Sequence, residues 1–66
     1  MEVVVNGQPR DVSADATVAA LLSELELDPR HCAVEINLEL VPRARHAVTR
    51  LAAGDRLEIV TLVGGG

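Results

Sequence analysis

The residues best placed to do chemistry stand at the end of the sequence, where Leu62-Val63 runs into Gly64-Gly65-Gly66. Successive glycines have no side chain to pack and lose the most backbone entropy on ordering, so they read as a mobile, narrow tail. Such a tail threads a channel only as wide as a backbone and delivers a carboxylate with an ordinary pKa of about 3.5, ionised at neutral pH. An ionised carboxylate held beside ATP by a partner enzyme can attack the α-phosphorus, and the resulting acyl-adenylate accepts a sulfur nucleophile at its carbonyl. The plain alternative is a frayed terminus or an expression scar.

Other side chains compete for a chemical role and fare less well. Cys32 is the rival sulfur site, as a persulfide, but it starts an apolar stretch and has no Lys or second Cys near it in sequence, which favours a small buried hydrophobe. His31, Cys32 and His46 lack the ligand spacing of a zinc site, and adjacent residues on a strand point to opposite faces, so no metal is expected. Asp11, Asp15, Glu24 and Glu26 read as solvated charges, since paired-carboxylate catalysis needs a cleft that so small a domain hardly provides. Arg43 follows a proline and either anchors an acidic partner or belongs to the turn; the turn is the simpler reading.

The elements that must position the tail follow from the pattern. Met1 to Val5 are apolar apart from Glu2, and Asn6-Gly7 is the dipeptide that best tolerates the positive φ angles of a tight hairpin. The second arm, Gln8 to Ser13, is polar and carries Pro9, which marks an edge strand. Val18, Leu21, Leu22 and Leu25 stand at i, i+3, i+4 and i+7, one amphipathic helix capped by Asp15 or Thr17 and stopped by Asp28-Pro29. From Val34 to Leu40 the period is two, with a turn expected near Asn37. Pro42-Arg43 ends that strand, and Ala44 to Leu51 reads as a loop with one helical turn. Ala53-Gly54-Asp55 is a turn before a last strand, Arg56 to Val63, with Leu57 and Ile59 on one face.

One helix can cover one face of the sheet, which gives an α+β, two-layer design. The first and last strands are the most apolar, so burying both at the centre, in parallel, gives the β-grasp arrangement: a mixed sheet of four to five strands with one main helix. Residues 1–63 then form the domain and 64–66 the tail. The face without a helix holds Val60 and Leu62 beside Val4, and an uncovered apolar patch of that kind meets a partner.

Composition narrows the function further. Sixty-six residues make one domain, with about 3–5 kcal/mol of net stability expected at that size. The apolar fraction of 48% contains no aromatic residue, so the core is aliphatic. A net charge of −4, six Arg and no Lys leave neither a basic stripe nor a stacking platform, which disfavours nucleic acid. A single cysteine and no charged leader point to the cytoplasm, and nothing calls for a membrane or an oligomer.

Taken together, Val3-Val4-Val5-Asn6-Gly7, Thr17-Val18-Ala19-Ala20-Leu21-Leu22, Val41-Pro42-Arg43, Gly54-Asp55-Arg56-Leu57-Glu58-Ile59-Val60 and Val63-Gly64-Gly65-Gly66 resemble the sulfur-carrier proteins of thiamine biosynthesis, the ThiS family, across nearly the whole chain. The Gly54-Asp55 run and the bare glycine end are the specific part. The chain departs at His46, where relatives carry an aromatic such as Trp or Tyr. The resemblance implies a non-catalytic carrier, binding no cofactor of its own. A ThiF-like adenylating enzyme, with ATP and Mg²⁺, activates the carboxylate of Gly66; sulfur from a cysteine desulfurase persulfide makes a thiocarboxylate; and a thiazole synthase takes the sulfur. Gly65 and Gly64 thread, and Val60, Leu62, Val63 and Val4 dock the partner. The alternatives are the small subunit of molybdopterin synthase, usually longer and with aromatic residues, and a ubiquitin-like binding module or protein modifier.

Overall fold

The computed structural model describes residues 1–62. Asn6 and Gly7 both take positive φ, 49° and 81°, and turn β1 (Glu2–Val5) back into β2 (Gln8–Asp11), with Val5 facing Gln8 and Glu2 facing Asp11. That paired left-handed geometry matches the right-handed twist of the strands it joins. A second hairpin repeats the device. Asn37 and Leu38, at φ 51° and 73°, join β3 (Cys32–Ile36) to β4 (Glu39–Val41). The period-two pattern therefore breaks at Asn37, as expected, and Leu38 and Leu40 do not continue the core side: they are 88% and 64% exposed.

The last strand, β5 (Arg56–Thr61), is central in the order β2-β1-β5-β3-β4, parallel to β1 and antiparallel to β3. This is the β-grasp arrangement, with Pro9 on the edge strand β2. Two asparagines from the hairpin turns fasten β5 from either side. Asn6 Nδ2 donates to the Ile59 carbonyl at 3.1 Å while Asn6 Oδ1 accepts from Ile59 N–H at 2.7 Å, which extends the β1–β5 ladder beyond the end of β1. Across the sheet, Arg56 N–H donates to Asn37 Oδ1 at 3.1 Å and Asn37 N–H donates to the Arg56 carbonyl at 2.8 Å.

Helix α1 (Val18–Glu24) lays Val18, Leu21 and Leu22 on Val3, Val34 and Leu57 of the three inner strands. Seven residues are too few to hold a helix in isolation, so its first amides need outside partners. Val18 N–H donates to the Thr49 carbonyl and Ala19 N–H to the His46 carbonyl, each at 3.0 Å, and Ala20 N–H donates to Thr17 Oγ1 at 3.1 Å. Thr17, not Asp15, is thus the cap. The irregular segment after β4, with a 3-10 turn at Arg43–Arg45, supplies the rest.

The helix stops earlier than Asp28-Pro29. Glu26 takes φ 59°, its N–H donates to the Ser23 carbonyl and Leu27 N–H donates to the Leu22 carbonyl, the paired bonds of a Schellman terminus. Glycine usually fills that left-handed position, because a β-carbon there costs about 1 kcal/mol. Glu26→Gly is therefore expected to stabilise the fold by about 0.5–1 kcal/mol, raising the thermal midpoint by a few degrees in far-ultraviolet circular dichroism. A lower midpoint would mean that the Glu26 side chain contributes more than its backbone conformation costs.

Asp28 instead caps a 3-10 turn at Pro29–His31, accepting from Arg30 N–H at 2.9 Å. The Arg30 guanidinium also donates to it, from Nη2 at 2.8 Å, and this contact holds the exposed Asp28 carboxyl well below the usual carboxylate range. Asp28 therefore stays ionised as a cap at any ordinary pH.

Candidate functional site

The site expected from the glycines begins where β5 ends. Val63, Gly64, Gly65 and Gly66 lie outside the described residues, so the site is built up to Leu62. Thr61 pairs with Cys32, and Leu62 N–H donates to the His31 carbonyl at 2.7 Å, so the chain is held to β3 up to the last described residue. Because β5 has bonded neighbours on both sides, the direction in which the chain leaves the sheet is fixed by the whole domain.

The face opposite α1 carries the other expected residues. Leu57 and Ile59 point into the core, and alternation puts Arg56, Glu58 and Val60 on the open side, where Val60 is 58% exposed and Leu62, beyond the strand, 51%. Val4 is on that side too, half-buried, but not beside Val60: the parallel register sets it against Arg56, with Glu58 between the two valines along β5. A parallel pairing that starts at Arg56 slides β1 toward the start of β5, and strand alternation alone does not reveal that offset. Ala33 stands opposite Val60, and Glu35 stands opposite both Glu58 and Leu40. The open face is thus apolar near the end of β5, acidic in the middle and basic at Arg56.

Cys32 is 8% exposed at the start of β3. Burial pushes its thiol pKa up, and the nearby Asp28 carboxylate adds to the shift, so the thiol stays protonated and weakly nucleophilic. His46 is not an incidental surface histidine. It is 4% exposed, its Nε2 lies 3.1 Å from the Val41 carbonyl, and Nδ1 has no partner among the described residues. An Nε2–H tautomer satisfies that contact. The ring lines a mostly apolar groove of about 370 Å³ with Leu22, Leu27 and Pro29. In a chain without aromatics it is the one ring that fills space under the helix, and its place between Arg45 and Ala47 gives no local signal of that. Arg43 is exposed and opens the 3-10 turn, and among the described residues no group of three or more His, Cys, Asp or Glu is arranged to hold a metal. No helix among them is long and apolar enough to cross a membrane.

Comparison with known proteins adds to this geometry. The ThiS family model matches residues 3–66. The crystal structure of the thiamine biosynthesis protein ThiS from Geobacter metallireducens superposes with a TM-score of 0.85 at 33% identity, each chain covered in full. The sulfur carrier protein ThiS of Escherichia coli (strain K12) is 30% identical over 66 residues, and both proteins are covered end to end. A thiazole synthase of Paramagnetospirillum magneticum is 52% identical over 66 residues. The chain spans about a fifth of that protein, 20%, and the same share of a thiazole synthase from Magnetococcus marinus.

Proposed function

The chain belongs to the ThiS family, and from that membership we propose that it carries sulfur for the thiazole moiety of thiamine on the carboxylate of Gly66. The observation that carries the reading is continuity: the family match runs through the glycines, and the strand that leads into them is the central one, tied to β1, β3 and both hairpin asparagines. A carrier needs a reactive end on a narrow backbone and a rigid body by which partners grip it. The body catalyses nothing in this scheme.

An adenylating enzyme of the ThiF kind, using ATP and Mg²⁺, takes the Gly66 carboxylate; its oxygen attacks the α-phosphorus and pyrophosphate leaves. The terminal sulfur of a cysteine desulfurase persulfide then displaces AMP to form an acyl disulfide, and a second thiol, itself oxidised to a disulfide, cleaves the S–S bond and releases the glycyl thiocarboxylate. Gly64 and Gly65 reach through the enzyme while Val60, Leu62, Val63 and Val4 contribute to the docking face. The thiazole synthases that contain a matching segment support such an enzyme as the sulfur acceptor. The setting is the cytoplasm, where ATP and reduced thiols are maintained. Cys32 is not the carrier in this reading, because its thiol is buried and held protonated.

Incubated with the adenylating enzyme, ATP, Mg²⁺ and a persulfide donor, the protein should gain about 16 Da, the exchange of one oxygen for sulfur. Fragmentation mass spectrometry should place that gain on Gly66. Sulfur found instead on Cys32 as a persulfide, or no gain at all, would reject the reading.

A further inference from the structure

On the open face, Glu35 and Glu58 stand directly opposite each other across β3 and β5, both exposed. Side chains so paired have β-carbons roughly 5 Å apart, and like charges in that position destabilise a sheet. Among the described residues the ion pairs are Met1 with Asp11 and Arg30 with Asp28, so neither glutamate has an ion-pair partner there, and the one cation along β5 on this face, Arg56, stands two residues from Glu58. Aliphatic side chains border the pair. Leu40 stands opposite Glu35 on the far side, the Ala33–Val60 pair is the next on this face, and Leu62 follows; Leu40, Val60 and Leu62 are 64%, 58% and 51% exposed. An apolar border excludes water when covered, which strengthens an ion pair closed inside it.

A guanidinium matches that arrangement better than an ammonium. Its planar fork donates to more than one carboxylate oxygen at once, it is weakly hydrated, and its stem lies on aliphatic surface. We propose that a thiazole synthase gripping this face, the enzyme class whose own chains contain a matching segment, inserts an arginine between Glu35 and Glu58, its stem against Val60 and Leu40. The inference rests on the carrier reading, which makes this face a docking surface, and adds the chemistry of the partner. The opposed charges cost the free domain stability, and a cation brought by the partner removes that cost on binding.

The test is binding of the protein and its variants to the thiazole synthase of the same host, by calorimetry at low and at moderate salt. Glu35→Gln and Glu58→Gln keep size and remove charge. Each should weaken binding by about tenfold or more and flatten its salt dependence. In the free protein each should raise the thermal midpoint by about 1–5 °C. Unchanged affinity in both variants, with Val60→Asp abolishing binding, would overturn the arginine but leave the face as the dock. If Val60→Asp also binds like the parent, the docking face itself falls. Lower midpoints in the glutamine variants would overturn the opposed-charge argument.

Discussion

Removing Gly65 and Gly66 should abolish sulfur loading while leaving the body folded. The truncated chain still ends in a glycine carboxylate, at Gly64, of the same intrinsic reactivity. It stops about 7 Å short, since each extended residue spans at most about 3.6 Å. The loss would therefore report reach into the adenylating enzyme, where the carboxylate oxygen and the α-phosphorus must come within bonding approach. The expected result is complete absence of the gain of about 16 Da under conditions that load the parent protein fully. Core packing by Val3, Val18, Leu21, Leu22, Val34 and Leu57 lies well before the tail, so the thermal midpoint should stay within about 2 °C of the parent. A truncated protein that still takes up sulfur would show that the Gly64 carboxylate reaches the enzyme or, if the sulfur maps to Cys32, that the site is the one thiol available.

The second large effect is structural. Asn6→Ala strips both hydrogen bonds from Ile59, leaving an N–H and a carbonyl of the central strand without the partners they have at 2.7 and 3.1 Å. It also leaves alanine at φ 49°, which a side chain without local hydrogen bonds disfavours by about 1 kcal/mol. Partly buried backbone groups left unpaired cost about 1–3 kcal/mol. The sum, about 2–4 kcal/mol, is comparable to the whole stability of a domain this size. Asn6→Ala should therefore melt at least about 10 °C below the parent or be largely unfolded at room temperature. Asn6→Gly separates the causes, since glycine accepts the positive φ but replaces neither bond; it should recover about 1 kcal/mol of the loss. With no Trp, Tyr or Phe in the chain, far-ultraviolet circular dichroism is the measurement. A midpoint within about 2 °C of the parent for Asn6→Ala would show that β5 is held without this side chain.

Much of the fold was legible because it is written locally. Asn6-Gly7 announced its hairpin, the spacing of Val18, Leu21 and Leu22 announced the helix, and Pro9 marked the edge. What escaped was settled by contacts between distant residues or by conformations that composition does not encode. Glu26 at φ 59° ends the helix with no glycine to signal it, so Asp28-Pro29 looked like the stop. Asn6 and Asn37 read as turn formers, but nothing nearby in sequence says that their side chains also grip β5. The neighbours of His46 in sequence give no sign of its burial, because that depends on a helix far earlier in the chain. The open face was legible as an apolar patch, whereas the register that opposes Glu35 to Glu58 and sets Val4 at Arg56 emerges only when the strands are assembled. The glycines lie outside the described residues, so their role rests on the sequence and on the family match through residue 66.

The position of β5 has a mechanical consequence. Tension applied beyond Leu62, as when a bound partner draws on the chain, acts along the axis of a strand bonded on both sides. Such a load shears the ladders to β1 and β3, so many bonds must fail together, whereas an edge strand could be peeled away one bond at a time. The domain can be tugged from that end without unravelling.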